Sequence, residues 1–350
     1  MPRRRPSHPP PPSIAPLSDG GERPLWSVVI PARDRAELLA QTLDSVLVQD
    51  EGDHLMQIEV ADNSVRTDAV QRRVAERSGG RVALFRQPAP VGMVENWNAC
   101  LTRARGTLVH LLHDDDLVLP GFYRALARAA AACPEAGAYF CRFHAIDEHG
   151  TRSDLAPLLQ LRAGVLQDAV GLLGSRQQIQ APAIVVRRVV YERLGGFRPD
   201  LAYSPDWEMW VRIACHFPVW YEPEPLACYR MHSGADTTRA ARLGGDAAGS
   251  RQAIAVFSEY LPPEHRRRLP RRARENVGRH AAFLASRFIS QRDLAAAARQ
   301  LFQALRTSRS PRIAADLARY FIAGVRGNLR RVLHAAGVLL PTSGENQRRR

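Results

Sequence analysis

The chain has 350 residues, 45% of them hydrophobic, and carries 49 basic against 35 acidic side chains for a formal charge of +14. That much apolar material is enough for one large core or two ordinary ones, so a folded protein is expected. Every basic residue is arginine. The lack of lysine excludes a P-loop lysine, a Schiff-base lysine and a lysine general base, and leaves any phosphate to arginine, backbone N–H groups or a metal ion.

Residues 1–24 are rich in Pro, Gly, Ser and Arg, a composition that buries too little apolar area to offset the entropy of ordering, and they are expected to be a disordered tail. They lack the apolar stretch of a signal peptide, and no long uninterrupted apolar run follows, so neither secretion nor membrane spanning is expected. The five cysteines are widely spaced, with no C-x-x-C pair and no zinc-like cluster, which fits a reducing compartment.

From Trp26 onward, short β-branched runs alternate with helical patterns. Strands are predicted at Ser27–Pro31, Gln57–Ala61, Val82–Arg86 and Leu108–Leu112, and helices over Ala36–Val48, Ala69–Arg77, Val94–Arg103 and from Pro120 to Ala132. Four βα units in succession predict a parallel sheet covered on both faces. SVVIP and TLVHLL are nearly continuously apolar, as strands buried on both sides are. Longer strand-like pieces follow at Tyr139–Ile146, Ala183–Arg187 and Val219–Tyr229, with helices at Val189–Leu194 and Trp207–Cys215. After Ala240 the chain turns Ala- and Arg-rich, with helical periodicity in 250–260, 264–289, 291–307 and 311–338. The predicted organisation is therefore a tail over 1–24, an α/β domain over 25–240, a helical region over 241–340 and a basic tail over 341–350.

Ligands of open α/β sheets bind beyond the carboxyl ends of the strands. Pro31, Arg33 and Asp34 stand there after the first strand, Asp62-Asn63-Ser64 after the second, the stretch ending at Gly92 after the third, and His113-Asp114-Asp115-Asp116 after the fourth. Three consecutive carboxylates at the end of a buried strand repel one another. A hard divalent cation such as Mg²⁺ or Mn²⁺ would offset that cost while bridging to substrate phosphates. The plainer reading is an acidic start to the helix at Pro120. Asp62 could accept from a nucleobase imide or a ribose hydroxyl, or cap the next helix, and Asp34 has the same two readings.

Five segments, SVVIPARDRAELLAQTLDSVLVQ, VADNS, VGMVENWNACLTRARGTLVHLLHDDDLVLPGFY, GGFRPDLAYSPDWEMWVRIA and YRMHSGADTT, occur in that order over residues 26–240. In them the chain resembles family 2 glycosyltransferases, inverting enzymes with the GT-A fold, although that family usually has Asn where Asp34 stands and often Asp where His113 stands. The resemblance implies an α/β Rossmann-like sandwich with a mostly parallel central sheet, here followed by a helical C-terminal region. It also implies transfer of a sugar from a nucleotide-diphosphate sugar to a hydroxyl of a glycan, lipid-linked or protein acceptor, in cell-surface polysaccharide synthesis on the cytoplasmic side of the membrane. Pro31, Arg33, Asp34, Asp62, Asn63, Ser64, Gly92, Asn96, Asp114, Asp115 and Arg230 would bind the donor, and Asp116 would hold the divalent metal with Asp114 or Asp115 and His232 assisting.

Asp206 would stand at the position of the family's catalytic base, with Glu208 its nearest competitor; without the resemblance Asp206 reads as the N-cap of the helix it opens. By the same token His232 alone reads as a surface residue, and Trp97 as core. Gly195 and Gly196 are expected to serve a backbone turn near the acceptor. Two alternatives to a working transferase are an inactive relative acting as a scaffold and a protein that binds anionic surfaces. The arginine runs at Arg3–Arg5, Arg266–Arg268, Arg271-Arg272 and Arg348–Arg350 lie outside the α/β region without interleaved aromatics. They fit a solvated face or peripheral contact with anionic headgroups rather than specific nucleic-acid binding. The Tyr320–Leu340 stretch, with its apolar face and arginines, is the expected membrane contact.

Overall fold

The computed structural model describes residues 8–18, 21–65, 68–232 and 234–320. Strands β1 (Trp26–Ala32), β2 (Met56–Asp62), β3 (Ala83–Arg86) and β4 (Leu108–Leu111) are joined through α1 (Ala36–Leu47), α2 (Ala69–Ser78) and α3 (Met93–Arg103), and lie side by side in the order β3-β2-β1-β4, all parallel. All seven residues of β1 are buried, and the two-residue period of the strand divides them between layers. Val28 and Ile30 join Leu39, Leu43 and Val46 of α1 on one face, whereas Val29 joins Val94, Trp97 and Cys100 of α3 on the other.

The second half of the sheet is mixed. It comprises β5 (Leu117–Val118), α4 (Phe122–Ala132), β6 (Ala138–Ile146), β7 (Arg152–Leu155), β8 (Gly164–Val165), α5 (Ala169–Ser175), a 3₁₀ turn at Ala181–Ala183, β9 (Ile184–Arg187), α6 (Arg188–Leu194), α7 (Pro205–Ala214) and β10 (Val219–Arg230). The full order is β3-β2-β1-β4-β9-β6-β10-β5, with β7 on β6 and β8 on β10. β9 runs antiparallel between β4 and β6, while β10 is parallel to β6. β5, too short for a periodic signal, pairs antiparallel with Ala227 and Cys228 and so sets the chain after Asp116 beside β10 at the edge of the sheet. The helix expected from Pro120 begins at Phe122, because Gly121 adopts φ 90°, a left-handed conformation that glycine takes without strain.

Helices α8 (Asp236–Leu243), α9 (Gly245–Ser258), α10 (Leu269–Ser290) and α11 (Leu294–Thr307) follow, with helical backbone again at 311–320. This region shares a core with the α/β domain: Trp207 and Val211 of α7 pack with Ile254 and Phe257 of α9 and with Leu269 and Ala273 of α10. Among the described residues no helix is long and apolar enough to cross a membrane, and the stretch expected to contact one lies outside them beyond Tyr320.

The tail reading does not hold for residues 8–18. Ile14 is 3% exposed within the layer that contains Val190 and Phe197, the Pro12 carbonyl accepts from the Gly196 N–H at 2.7 Å, and the Ala15 carbonyl accepts from Arg188 at 3.1 Å. Mean composition hides a single apolar anchor, and prolines leave few N–H groups that need partners when an extended segment lies on a surface.

Candidate active site

Parallel register sets the site. Ala32 is level with Asp62 across β1 and β2, and the Leu112 N–H donates to the Val29 carbonyl at 3.1 Å, so the segments leaving β1, β2 and β4 emerge at one edge of the sheet. They border a cleft of about 180 Å³ that is closed on the other side by Gln180, the start of α7 and residues following β10.

Asp114 and Asp115 line the cleft at 2% and 8% exposure, and the next residue, Asp116, is fully buried. Asp114 is occupied by the protein, accepting from the Arg33 N–H at 2.9 Å and from the Arg35 guanidinium at 2.9 Å. That guanidinium also reaches Asp115 at 2.9 Å. Asp116 accepts from the Arg230 N–H at 2.8 Å through Oδ1, whereas its buried Oδ2 has no hydrogen-bond partner. Burial, and then the neighbouring Asp115 charge, push the Asp116 carboxyl far above the usual range; burial also raises Asp114, against the pull of Arg35. His113 stacks on Trp97 with ring centres 4.8 Å apart, and burial lowers its pKa to about 4, so the ring is neutral with a free lone pair at neutral pH. Its Nε2 is likewise buried without a partner.

His113, Asp115 and Asp116 each bring a ligand atom within 4.8 Å of the others. A divalent cation fits this group: it would satisfy the orphaned Asp116 Oδ2, which lies 3.9 Å from His113 Nδ1, and relieve the repulsion between carboxylates. The set differs from the Asp116, Asp114 and His232 read from the sequence. Both Asp114 oxygens are engaged by Arg33 and Arg35, and His232 lies against Asp115 at 3.0 Å. His113 was missed because it looks like a departure from the family pattern; the signal was its place in the same tetrapeptide.

Pro31, Arg33, Asn63, Asn96, Asp114, Asp115 and Arg230 line the cleft, whereas Asp34, Asp62, Ser64, Gly92, Asp116 and His232 are not among its lining residues. Asn63 clamps Val91 from both sides, donating to its carbonyl at 2.9 Å and accepting from its N–H at 3.0 Å. Asn96 donates to the Ala61 carbonyl at 3.1 Å. These amides hold the loops in register with their side chains. Asp62 accepts from the Ser64 N–H at 2.9 Å, and its Oδ2 is buried without a hydrogen bond. Asp34 sits at φ 56°, an uncommon value for a non-glycine residue, with its N–H on Ser64 Oγ at 3.0 Å and its carboxylate on the Val65 N–H at 3.3 Å. Backbone strain of this kind persists where surrounding structure enforces it.

Arg230 differs from expectation. Its guanidinium is spent on the Asp115 carbonyl at 2.8 Å, Gln41 at 2.9 Å and the carbonyls of Asp147 and Glu148 at 3.2 Å, so it organises the aspartate segment and is not free to hold a diphosphate. The free cation at the cleft is Arg33, which is exposed and makes no ion pair among the described residues.

Across the cleft Asp206 is the second residue of α7. Ser204, at φ 61°, occupies the N-cap, so the simple capping reading of Asp206 does not apply. Asp206 accepts from Gln177 Nε2 at 2.6 Å and from the Trp207 N–H at 2.8 Å. Burial raises its pKa to about 6, with those hydrogen bonds pulling the other way. A carboxylate poised there is ionised at neutral pH yet basic enough to take a proton. Glu208 has a different fate. It is 1% exposed, paired with Arg212 at 2.9 Å and with the Tyr260 hydroxyl at 2.7 Å, and it does not line the cleft. Arg212 in turn donates to the Gly196 carbonyl at 2.9 Å, and Asn98 grips both the N–H and the carbonyl of Phe197 at 2.8 Å. Gly196 is required here, since a Cβ would come 2.3 Å from Asn98 Oδ1. Gln177, in the sequence SRQQIQAP, belongs to no motif and was not legible.

Residues 27–188 match the model of Glycosyl transferase family 2. MT1568 of Mycobacterium tuberculosis is 28% identical over 236 residues, covering 62% of this chain and 70% of that protein. The protein y4gI of Sinorhizobium fredii is 25% identical over 213 residues, 56% of this chain and 23% of its own length. Among solved structures, the mannosyltransferase PcManGT from Pyrobaculum calidifontis, in complex with GDP-Man and Mn²⁺, superposes with a TM-score of 0.55 at 20% identity, over 91% of this chain and 84% of that one. Staphylococcus aureus TarS 1–349 in complex with UDP-GlcNAc gives 0.52 at 13% identity, over 82% and 91%. At these identities the structural likenesses speak to the fold. The family match runs from β1 through the aspartate segment to the first residue of α6, so this part of the chain is similar to glycosyl transferase family 2, and the architecture around the cleft is of the GT-A type.

Proposed function

We propose that this protein transfers a sugar, with inversion, from a nucleotide-diphosphate sugar to a hydroxyl of a glycan, lipid-linked or protein acceptor, with Asp206 as general base. The observation that carries this reading is the opposition, across one cleft, of a carboxylate of pKa about 6 and a buried aspartate cluster, while the competing Glu208 is locked in an ion pair. Two neighbours by fold, bound to UDP-GlcNAc and to GDP-Man with Mn²⁺, support a donor of this class.

Mn²⁺ or Mg²⁺, held by His113, Asp115 and Asp116 with His232 adjacent, would supply charge to stabilise the departing diphosphate. Arg33 adds a free guanidinium at the same end. Pro31, Asn63 and Asn96 shape the nucleoside end, and the buried Asp62, one oxygen without a hydrogen bond and 3.9 Å from Arg86, backs it. Asp206 takes the proton of the acceptor hydroxyl as it attacks from the face opposite the leaving group, oriented by Gln177. Five free cysteines fit a reducing compartment. Cytoplasmic action with peripheral membrane contact, in cell-surface polysaccharide synthesis, is the setting we favour.

The test is anomeric. NMR of the product should show inverted configuration; a retained configuration would remove Asp206 as base in this scheme.

A further inference from the structure

A second cavity, of about 360 Å³, lies where the end of α5 meets the first turns of α10. Its charged lining is lopsided: the guanidiniums of Arg176, Arg272, Arg279 and Arg312 face one carboxylate, Glu275. Arg312 pairs with Glu275 at 3.0 Å, and Arg279 pairs with Asp316. Arg176 and Arg272 have no carboxylate within pairing distance among the described residues. No aromatic ring lines the cavity, so it lacks the flat apolar surface on which a sugar ring stacks. What it offers is planar guanidinium forks, the geometry that recognises phosphate and carboxylate oxygens.

Its position gives that charge a use. The wall of the cavity is tied to α10 by Asn276, which donates to the Ser175 carbonyl at 2.9 Å. Directly after it the chain runs Arg176-Gln177-Gln178-Ile179-Gln180. Arg176 and Gln178 line this cavity, Gln177 holds Asp206, and Gln180 lines the donor cleft. Gln178 and Gln180 are two residues apart, so their backbones are separated by at most about 7 Å.

We propose that this cavity is a subsite for an anionic acceptor, seating a phosphate or carboxylate of the acceptor glycan while the receiving hydroxyl lies at Asp206. The inference rests on the transferase reading and extends it. It also gives the helical C-terminal region, through Arg272, Arg279 and Arg312, a part in choosing substrate.

The test uses the full chain and its Arg176→Gln, Arg272→Gln double variant on an array of neutral, phosphate-bearing and uronate-bearing glycans, with vesicles of phosphatidylglycerol as a separate arm. Nucleoside-diphosphate binding with Mn²⁺, by calorimetry on the same preparations, reports the donor site independently. The expected result is capture of the anionic glycans, at least tenfold weaker in the double variant, with nucleotide affinity and thermal unfolding unchanged. Capture of neutral glycans alone, no capture, equal capture by wild type and variant, or binding confined to vesicles overturns the subsite. Loss of nucleotide binding in the wild type would instead strike the transferase reading.

Discussion

The two sides of the cleft are built on different principles. The donor side consists of residues that leave three adjacent parallel strands at one level, so position in sequence converts directly into position in space. The acceptor side is assembled from the 176–180 segment, the start of α7 and the glycine turn before it, which meet only through tertiary packing. The donor side also carries buried polar atoms without hydrogen bonds, at Asp62, His113 and Asp116, and the acceptor side carries one at Gln177 Oε1 beside Asp206 and one at Trp210 Nε1 of α7, whereas Glu208 and Arg212 have their partners. Orphaned groups mark where a ligand is expected, and satisfied ones mark scaffold.

Two carboxylates two residues apart on α7 give the widest separation of these roles. Asp206→Asn should lower turnover by roughly 10²–10⁴-fold, the range of general-base catalysis, with nucleotide affinity unchanged. Its stability should not fall. Because the folded-state pKa of Asp206, about 6, lies above its ordinary 3.8, the ionised group opposes folding. The stability advantage of the Asn variant should therefore open as pH rises from about 4 to about 6 and persist above that, as seen by thermal melts across pH. Glu208→Gln should do the reverse, destabilising by about 3–5 kcal/mol because Arg212 is left as an uncompensated buried charge, while the folded fraction keeps its turnover. Equal loss of turnover in both variants would dissolve the distinction.

On the donor side, Asp116→Asn should weaken Mn²⁺-dependent nucleotide binding on the order of 10–100-fold, read by calorimetry with and without EDTA. Unchanged affinity in all conditions would remove the cation from the site. A smaller effect comes from pH. With donor and Mn²⁺ saturating, turnover should fall about tenfold per unit below pH 6 and level off above pH 7, as Asp206 protonates. A limb that persists in Asp206→Asn would assign it to another group.

The same asymmetry decides what the sequence made legible. Apolar continuity in SVVIP and TLVHLL announced strands buried on both faces, and from those strands the edge bearing Pro31, Asp62 and the aspartates followed. The mixed half of the sheet was harder to read. β5 and β8 have two residues each, and β7 is exposed throughout, so no hydrophobic period betrays them. Arg230 was read as a donor-binding residue, but a sequence cannot say whether a guanidinium faces ligand or protein. Here five hydrogen bonds from its backbone N–H and guanidinium settle the matter. Gln177 acts on Asp206 29 positions away, and the cavity beyond it depends on contacts about 100 positions apart, such as Ser175 with Asn276, which local patterns do not encode.

Arg35 offers the finest test of how the donor side works. Its guanidinium spans Asp114 and Asp115 at 2.9 Å each and lies 3.9 Å from Asp236, so it already supplies positive charge to carboxylates that a divalent cation would share. A metal that takes Asp115 must therefore displace one charge-assisted hydrogen bond and approach a like charge. Removing the guanidinium should help the metal and hurt the diphosphate, for which a displaced Arg35 would be a partner. Arg35→Gln is thus expected to bind Mn²⁺ roughly tenfold more tightly in the absence of nucleotide, the scale of one hydrogen bond to a charged group, and to bind nucleoside diphosphate more weakly at saturating Mn²⁺. Titration of free Mn²⁺ by electron paramagnetic resonance reads the first effect without any catalytic assay. Unchanged or weaker Mn²⁺ binding in the variant would mean that Arg35 and the cation do not compete, and that Asp115 is held by Arg35 and His232 as scaffold rather than offered as a ligand.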